Sequence, residues 1–266
     1  MGNVEQNNRQ KRYPPVLKNG NGKVPFRFPF VSRSFVPSVF TVMNMVSGYG
    51  SIVMSSEGSY ILAGWLIFLA AFFDTIDGFA ARVTNGASEF GVELDSLSDL
   101  VSFGAAPAFL VYRFGLSSLG MPLGLILSSL LMVGSGLRLA RFNISLIGYH
   151  KESFSGLPTP AQAMTIASFV LWMQAEPLLT GRALHEALAL LTVVLAGLMV
   201  SKVNYDALPK PSIESFRRYP FQMTAYVIAI FCVLVFQAKA FFVAMLLYIL
   251  LGIVRSLGML VRQWQV

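Results

Sequence analysis

Eight apolar runs follow one another along this chain with short polar links between them. They lie at roughly residues 35–55, 59–82, 90–112, 118–142, 159–177, 183–202, 220–237 and 239–261. Each is close to the ~20 residues that an α-helix needs to cross a bilayer. Backbone N–H and C=O groups find no water in hydrocarbon, so runs of this length are committed to helices. The spacing predicts an all-α polytopic membrane protein with one membrane domain. Charge agrees: 12% of the residues are charged, about half the share of a soluble domain. The single cysteine, Cys232, lies within an apolar run and excludes an internal disulfide. The link around Gln237 to Lys239 is so short that one partly re-entrant hairpin is the alternative to two spans there.

The first 34 residues differ in kind. They are rich in Asn, Gln, Gly and Pro, and carry seven basic residues, Arg9 to Arg33, against one acid, Glu5. No apolar h-region marks a cleaved signal peptide. The segment reads as a polar tail suited to an anionic leaflet. Its charge alone would suit nucleic acid too, but no motif supports that partner. With eight spans, 17 of the 20 basic residues fall on the side of the tail. Arg113, Arg182 and Lys239 alone fall on the other. That asymmetry predicts cytoplasmic termini in the cell (inner) membrane. The organisation is a basic tail at 1–34, a core at 35–205, a cytoplasmic loop at 206–219, and two further spans with a short tail at 220–266.

Within this apolar setting sits a dense acidic pattern: Asp74-x2-Asp77-Gly78-x2-Ala81-Arg82-x8-Gly91-x3-Asp95-x3-Asp99. A carboxylate at bilayer depth costs about 2.5–3.5 kcal/mol on insertion scales. Asp74 and Asp77 are three apart on one helix, and Asp95 and Asp99 four apart on the next, so each pair shares a face. Thr84-Asn85-Gly86 is a plausible helix stop, and Ser88 a candidate N-cap. Such a hairpin brings four acids together on the side of the tail. Hard oxygen ligands suit Mg²⁺ or Mn²⁺, and two ions could clamp a pyrophosphate. Arg82 could hold a phosphate oxygen. Two other readings stand beside this one: acids paired structurally with Arg82, Arg138 and Arg141, or acids lining an ion-transport pathway. The glycines and the arginine at set positions favour a phosphate-handling metal site.

The pattern resembles the signature of the CDP-alcohol phosphotransferase family at all eight positions. The resemblance implies a six-helix catalytic core, here followed by two additional C-terminal transmembrane helices. It implies an enzyme that displaces CMP from a CDP-linked lipid or alcohol with two metal ions, Mg²⁺ or Mn²⁺. By that resemblance Asp74, Asp77, Asp95 and Asp99 are metal ligands, and Asp99 is also the base that takes the acceptor's proton. Gly78, Ala81, Arg82 and Ser88 would line the CDP-lipid site. Thr41 and Asn44, on the first span, are the candidates for cytidine or phosphate contacts. The family also implies a homodimer.

Two further segments resemble the phosphatidylserine synthase branch of that family. They are Arg138-Leu139-Ala140-Arg141-Phe142-Asn143 and Ser155-Gly156-Leu157-Pro158-Thr159-Pro160-Ala161. The resemblance implies CDP-diacylglycerol and L-serine as substrates among membrane lipids, with Arg138, Arg141 and Asn143 binding serine or phosphate. An arginine pair can equally anchor a helix end, and Pro158 and Pro160 suit the start of a helix. A sister enzyme acting on glycerol phosphate or inositol phosphate is the near alternative. An ion transporter is the distant one. His150 and His185 have no metal-ligand partner, and the basic Lys210–Arg218 loop suits contact with lipid headgroups.

Overall fold

The computed structural model describes residues 35–84, 88–146, 156–203, 205, 238–256 and 258; those with regular structure are helical. Helix α1 spans Phe35–Ser56 and α2 Tyr60–Thr84. The third apolar run is three pieces: α3 (Glu89–Asp99), a π-helical segment (Leu100–Ala105) and α4 (Ala106–Phe114). A 3₁₀ turn, Leu116–Leu119, leads into α5 (Met121–Leu146), followed by α6 (Thr159–Ala175) and α7 (Gly181–Val200). The last described helix, α8, is Ala238–Ser256. The tail at 1–34, the turn at 85–87, the loop at 206–219 and the seventh run at 220–237 lie outside the described residues.

Among the described residues, five helical stretches are long and apolar enough to cross a membrane: Tyr60–Ala80, Phe90–Phe114, Met121–Ile144, Gly181–Val200 and Ala238–Ser256. The protein is an integral membrane protein. Helix α6 falls short in length, at 17 residues, but twelve of them are buried. An apolar helix covered all round is the centre of a bundle.

Helix α1 differs from the others because its polar side faces inward. Thr41, Asn44, Ser47, Ser51 and Ser55 recur at helical spacing and all are buried, while Val39, Val42, Met43, Val46 and Tyr49 face outward. Lipid tails are as apolar as leucine, so helices in a bilayer associate through small residues and interhelical hydrogen bonds. Ser51 Oγ donates to the Ala63 carbonyl of α2 at 2.9 Å. From the other side, Ser98 Oγ donates to the Thr41 carbonyl and Ser102 Oγ to the Asn44 carbonyl, each at 2.9 Å. Gly48 lies against Ser102, where a Cβ would come within 2.6 Å of its Cα. The α1–α2 turn closes through Gly58 at φ 79°, and Ser59 N–H donates back to the Met54 carbonyl at 2.9 Å.

The π segment has an identifiable cause. Pro107 carries no N–H, so the Phe103 carbonyl loses its ordinary i+4 donor. Ser135 Oγ on α5 donates to that carbonyl instead, at 3.3 Å. The Ala106 N–H reaches back five residues to Val101. The register change begins directly after Asp99, which fits the frequent occurrence of π turns at functional sites.

At the acid-bearing end, the chain entering α6 is stitched to the end of α7. Gly156, at φ +94°, donates its N–H to the Val203 carbonyl at 2.8 Å, and Leu157 donates to Leu198 at 3.0 Å. A side chain at 156 would overlap the Met199 carbonyl. Pro158 precedes α6 and Pro160 lies in its first turn, the structural role their positions suggest. Arg141 Nη2 donates to the Val200 carbonyl at 3.0 Å, capping α7 from α5. At the opposite end Lys239 joins α8 to α6, pairing with Glu176 at 3.2 Å and lying 5.7 Å over the Trp172 ring. These contacts, with the Trp172 indole N–H, hold the exposed Glu176 carboxyl below its ordinary range.

Candidate active site

Helix α2 delivers Asp74 and Asp77; α3 delivers Asp95 and Asp99. Ser88 caps α3 as its position suggests: its Oγ accepts the Gly91 N–H at 3.0 Å. That cap fixes where α3 starts and hence which way its acids point. Asp74, Asp95 and Asp99 each offer an oxygen within 4.8 Å of the others. Asp74 and Asp99 meet directly across the helix pair.

Asp77 stands apart from this trio. It is 6% exposed, one of its oxygens is buried without a partner, and its carboxylate meets the Thr41 side chain. The reason is helical geometry. A three-residue step turns about 60° away from the starting direction, a four-residue step about 40° the other way. Asp74 therefore faces α3 while Asp77 turns towards α1. The four acids of the sequence pattern are a trio and a neighbour.

Asn44 joins α1 to the trio, its Nδ2 donating to Asp99 Oδ1 at 3.4 Å. Buried oxygens of Asn44, Asp77 and Asp95 have no partner. Oxygens about 3–4 Å apart are what a divalent cation with ~2.1 Å bonds requires. The trio's oxygens lie within 4.8 Å of one another, close enough for small shifts to bring them onto one ion, and the unpartnered Asp95 oxygen suits a cation. The residues present fit a hard metal ion.

The arginine pair is divided. Arg138 is turned inward, interacts electrostatically with Asp99, and has a buried Nε that makes no hydrogen bond. Arg141 is exposed and holds Val200. Asn143 reaches α3: its Nδ2 donates to Ser96 Oγ at 3.0 Å, and the Ser96 hydroxyl has the Val92 carbonyl at 3.1 Å as acceptor. Gly78 lies on α2 one residue after Asp77. The side chains of Ala81 and Arg82 lie outside what is described, as do Ser155, His150 and Lys151.

Three residues of this site escape the sequence reading. Ser96 ties the arginine-bearing helix to the acids, while Ser98 and Ser102 lock α3 and the π segment to α1. Their signal was present: serines at 98 and 102, a four-residue step, flank the acidic face of a membrane helix, where hydroxyls pair across helices.

Residues 34–199 match the family model described as CDP-alcohol phosphatidyltransferase. A CDP-diacylglycerol–serine O-phosphatidyltransferase of Helicobacter pylori is 35% identical over 85% of this chain and 92% of its own length. A protein of the same name from Methanocaldococcus jannaschii is 33% identical over 81% and 90%. An archaetidylserine synthase of Methanothermobacter thermautotrophicus is 36% identical over 64% and 69%. The matched region spans α1 to α7, short only of the last residue of α7, and holds every residue of the acidic trio, and the chain belongs to the CDP-alcohol phosphatidyltransferase family.

Proposed function

We propose that this chain transfers the phosphatidyl group of CDP-diacylglycerol to the hydroxyl of L-serine and releases CMP. The observation that carries the reading is the convergence of Asp74, Asp95 and Asp99 with Arg138 at one end of a membrane bundle. The printed names of the relatives support serine as acceptor.

Two divalent ions, Mg²⁺ or Mn²⁺, would supply charge neutralisation and polarisation of the pyrophosphate when bound. Asp74, Asp95 and Asp99 would hold one, and Asp77 would contribute to the second. Thr41, Asn44, Gly78, Ala81, Arg82 and Ser88 flank the CDP end of the donor lipid. Arg138 binds the serine carboxylate, with Asn143 beside it. Asp99 takes the proton of the serine hydroxyl. The serine oxygen bonds to the phosphorus that carries diacylglycerol, the bond from that phosphorus to the bridging oxygen breaks, and CMP leaves with that oxygen. The basic asymmetry supports placing this end at the cytoplasmic face of the inner membrane, where CDP and serine are soluble. We carry the homodimer of the family as part of the reading.

The test is purified protein with CDP-diacylglycerol and, separately, serine, glycerol phosphate or inositol phosphate, with CMP release as readout. Serine should give turnover and the phosphorylated alcohols little. Turnover with glycerol phosphate but not serine would assign the sister activity. Ion flux in liposomes without CMP release would replace the enzyme by a transporter.

Ser96 has a role here that its neighbours do not. Losing its hydroxyl frees Asn143 without touching an acid. Ser96→Ala should raise the serine KM roughly tenfold, the value of about one hydrogen bond to a charged or strongly polar group. The KM for CDP-diacylglycerol should stay within about twofold. Equal changes in both constants would assign Ser96 to the fold rather than to the acceptor.

A further inference from the structure

Helix α8 lies beyond the matched family region, which ends at residue 199, yet it reaches the acid-bearing end of the bundle. The rings of Tyr205 and Tyr248 pack with centroids 5.6 Å apart. Gly252, one turn further along α8, lets Tyr205 lie against the helix; a Cβ there would overlap the Tyr205 ring. Tyr248 in turn interacts electrostatically with Arg138. One residue of α8 therefore lies within electrostatic reach of the inner arginine of the site.

The surroundings are short of hydrogen-bond partners. Tyr205 is 8% exposed and its hydroxyl is buried without a partner. Thr159 and Gln162, in the first turn of α6, are 1% and 0% exposed, and Thr159 Oγ1 and both Gln162 amide atoms are unpaired. The Gly156–Val203 and Leu157–Leu198 hydrogen bonds draw that turn to the segment carrying Tyr205. Helices α6 and α8 run antiparallel, since Lys239 meets Glu176 while Phe242 meets Phe169 at 5.3 Å. A seven-residue step along each helix from that ring pair, about 10 Å, brings Gln162 level with Ile249, the neighbour of Tyr248. Arg138 Nε, the Tyr205 hydroxyl, Thr159 Oγ1 and the Gln162 amide are thus unpartnered buried groups on the elements that meet at the end where α8 arrives. Buried polar groups are nearly always paired, so this set suits a small polar ligand bearing both donors and acceptors.

We propose that α8 closes the pocket for the acceptor amino acid, with the Tyr248 and Tyr205 hydroxyls binding its carboxylate beside Arg138 and Gln162 Oε1 accepting from its ammonium. This rests on the reading of Arg138 as an acceptor ligand. A carboxylate accepts from the guanidinium and phenol donors, and an ammonium donates to the amide oxygen, so a zwitterion satisfies both halves of the set.

The full-length protein is assayed for CMP release in three forms: wild type, Tyr248→Phe and Tyr205→Phe. Phenylalanine keeps the ring packing and removes only the hydroxyl. The serine KM should rise roughly tenfold in each variant, with kcat and the KM for CDP-diacylglycerol within about twofold. The Tm of Tyr205→Phe should be unchanged or higher, because the hydroxyl lost has no protein partner. Unchanged serine KM in both variants would overturn the proposal, and so would a rise confined to the CDP-diacylglycerol KM. The wild-type alcohol panel judges the function separately. If another alcohol is the acceptor, the serine reading and the zwitterion fall, while the KM of that alcohol in the two variants still decides whether α8 closes its pocket.

Discussion

Asp99→Asn should abolish CMP release while leaving the protein folded. The substitution keeps shape and volume. It removes the only feature the proposed chemistry needs from this side chain, the ability to take a proton and to ligate as an anion. General-base catalysis contributes about 10²–10⁴-fold, and loss of a metal-ligating oxygen from the trio adds to that. A fall of at least ~10³-fold in kcat is expected. Stability should move the other way. Asp74, Asp95 and Asp99 place oxygens within 4.8 Å of one another, and like charges at that range repel. A neutral amide at 99 relieves this in the metal-free protein, and its neighbour Asn44 Nδ2, 3.4 Å from Oδ1, can still donate to the amide oxygen. The measurement is CMP release with serine beside a thermal melt in detergent without divalent metal. Retention of a tenth of wild-type turnover would remove Asp99 from the role of base.

This variant probes the part of the molecule most legible in the sequence. Hydropathy marks the five described helices long and apolar enough to cross, because a bilayer accepts little besides apolar helices, and the acidic pattern stands out against them because buried charge is costly. What escaped has one physical origin: it depends on which helices become neighbours. Ser96 and Asn143 are 47 residues apart, and nothing local in either predicts their pairing. Arg138 and Arg141 look equivalent at a three-residue spacing, but packing sends the first towards Asp99 and the second to the end of α7. Tyr248 comes within electrostatic reach of Arg138 only through the antiparallel seating of α8 on α6. Two further features were readable. Pro107 forecasts a broken hydrogen-bond ladder in the third span, and the polar residues at 41, 44, 47, 51 and 55 forecast an inward stripe on α1.

That stripe makes Gly48→Ala the second variant of large effect, although the residue touches no reacting group. A Cβ at 48 would sit 2.6 Å from Ser102 Cα, whereas ordinary contact begins at 3.4 Å. The atom it meets is backbone, in the π segment three residues after Asp99, so no rotamer change relieves the overlap. Helix α1 and the π segment must separate by about 1 Å. The Ser98–Thr41 and Ser102–Asn44 hydrogen bonds, both 2.9 Å, cannot survive that shift, and the Asn44–Asp99 contact at 3.4 Å has no slack. Misplacing catalytic groups by about 1 Å costs on the order of 10²-fold, and kcat/KM should fall by that much. Gly50→Ala supplies the comparison on the same helix. Its Cβ would meet only the Leu66 side chain, at 3.4 Å and 4.0 Å, so it gains about 1 kcal/mol of helix propensity without strain and should keep activity within about twofold. Equal activity in the two alanine variants would mean that the close approach of α1 does not set the geometry around Asp99.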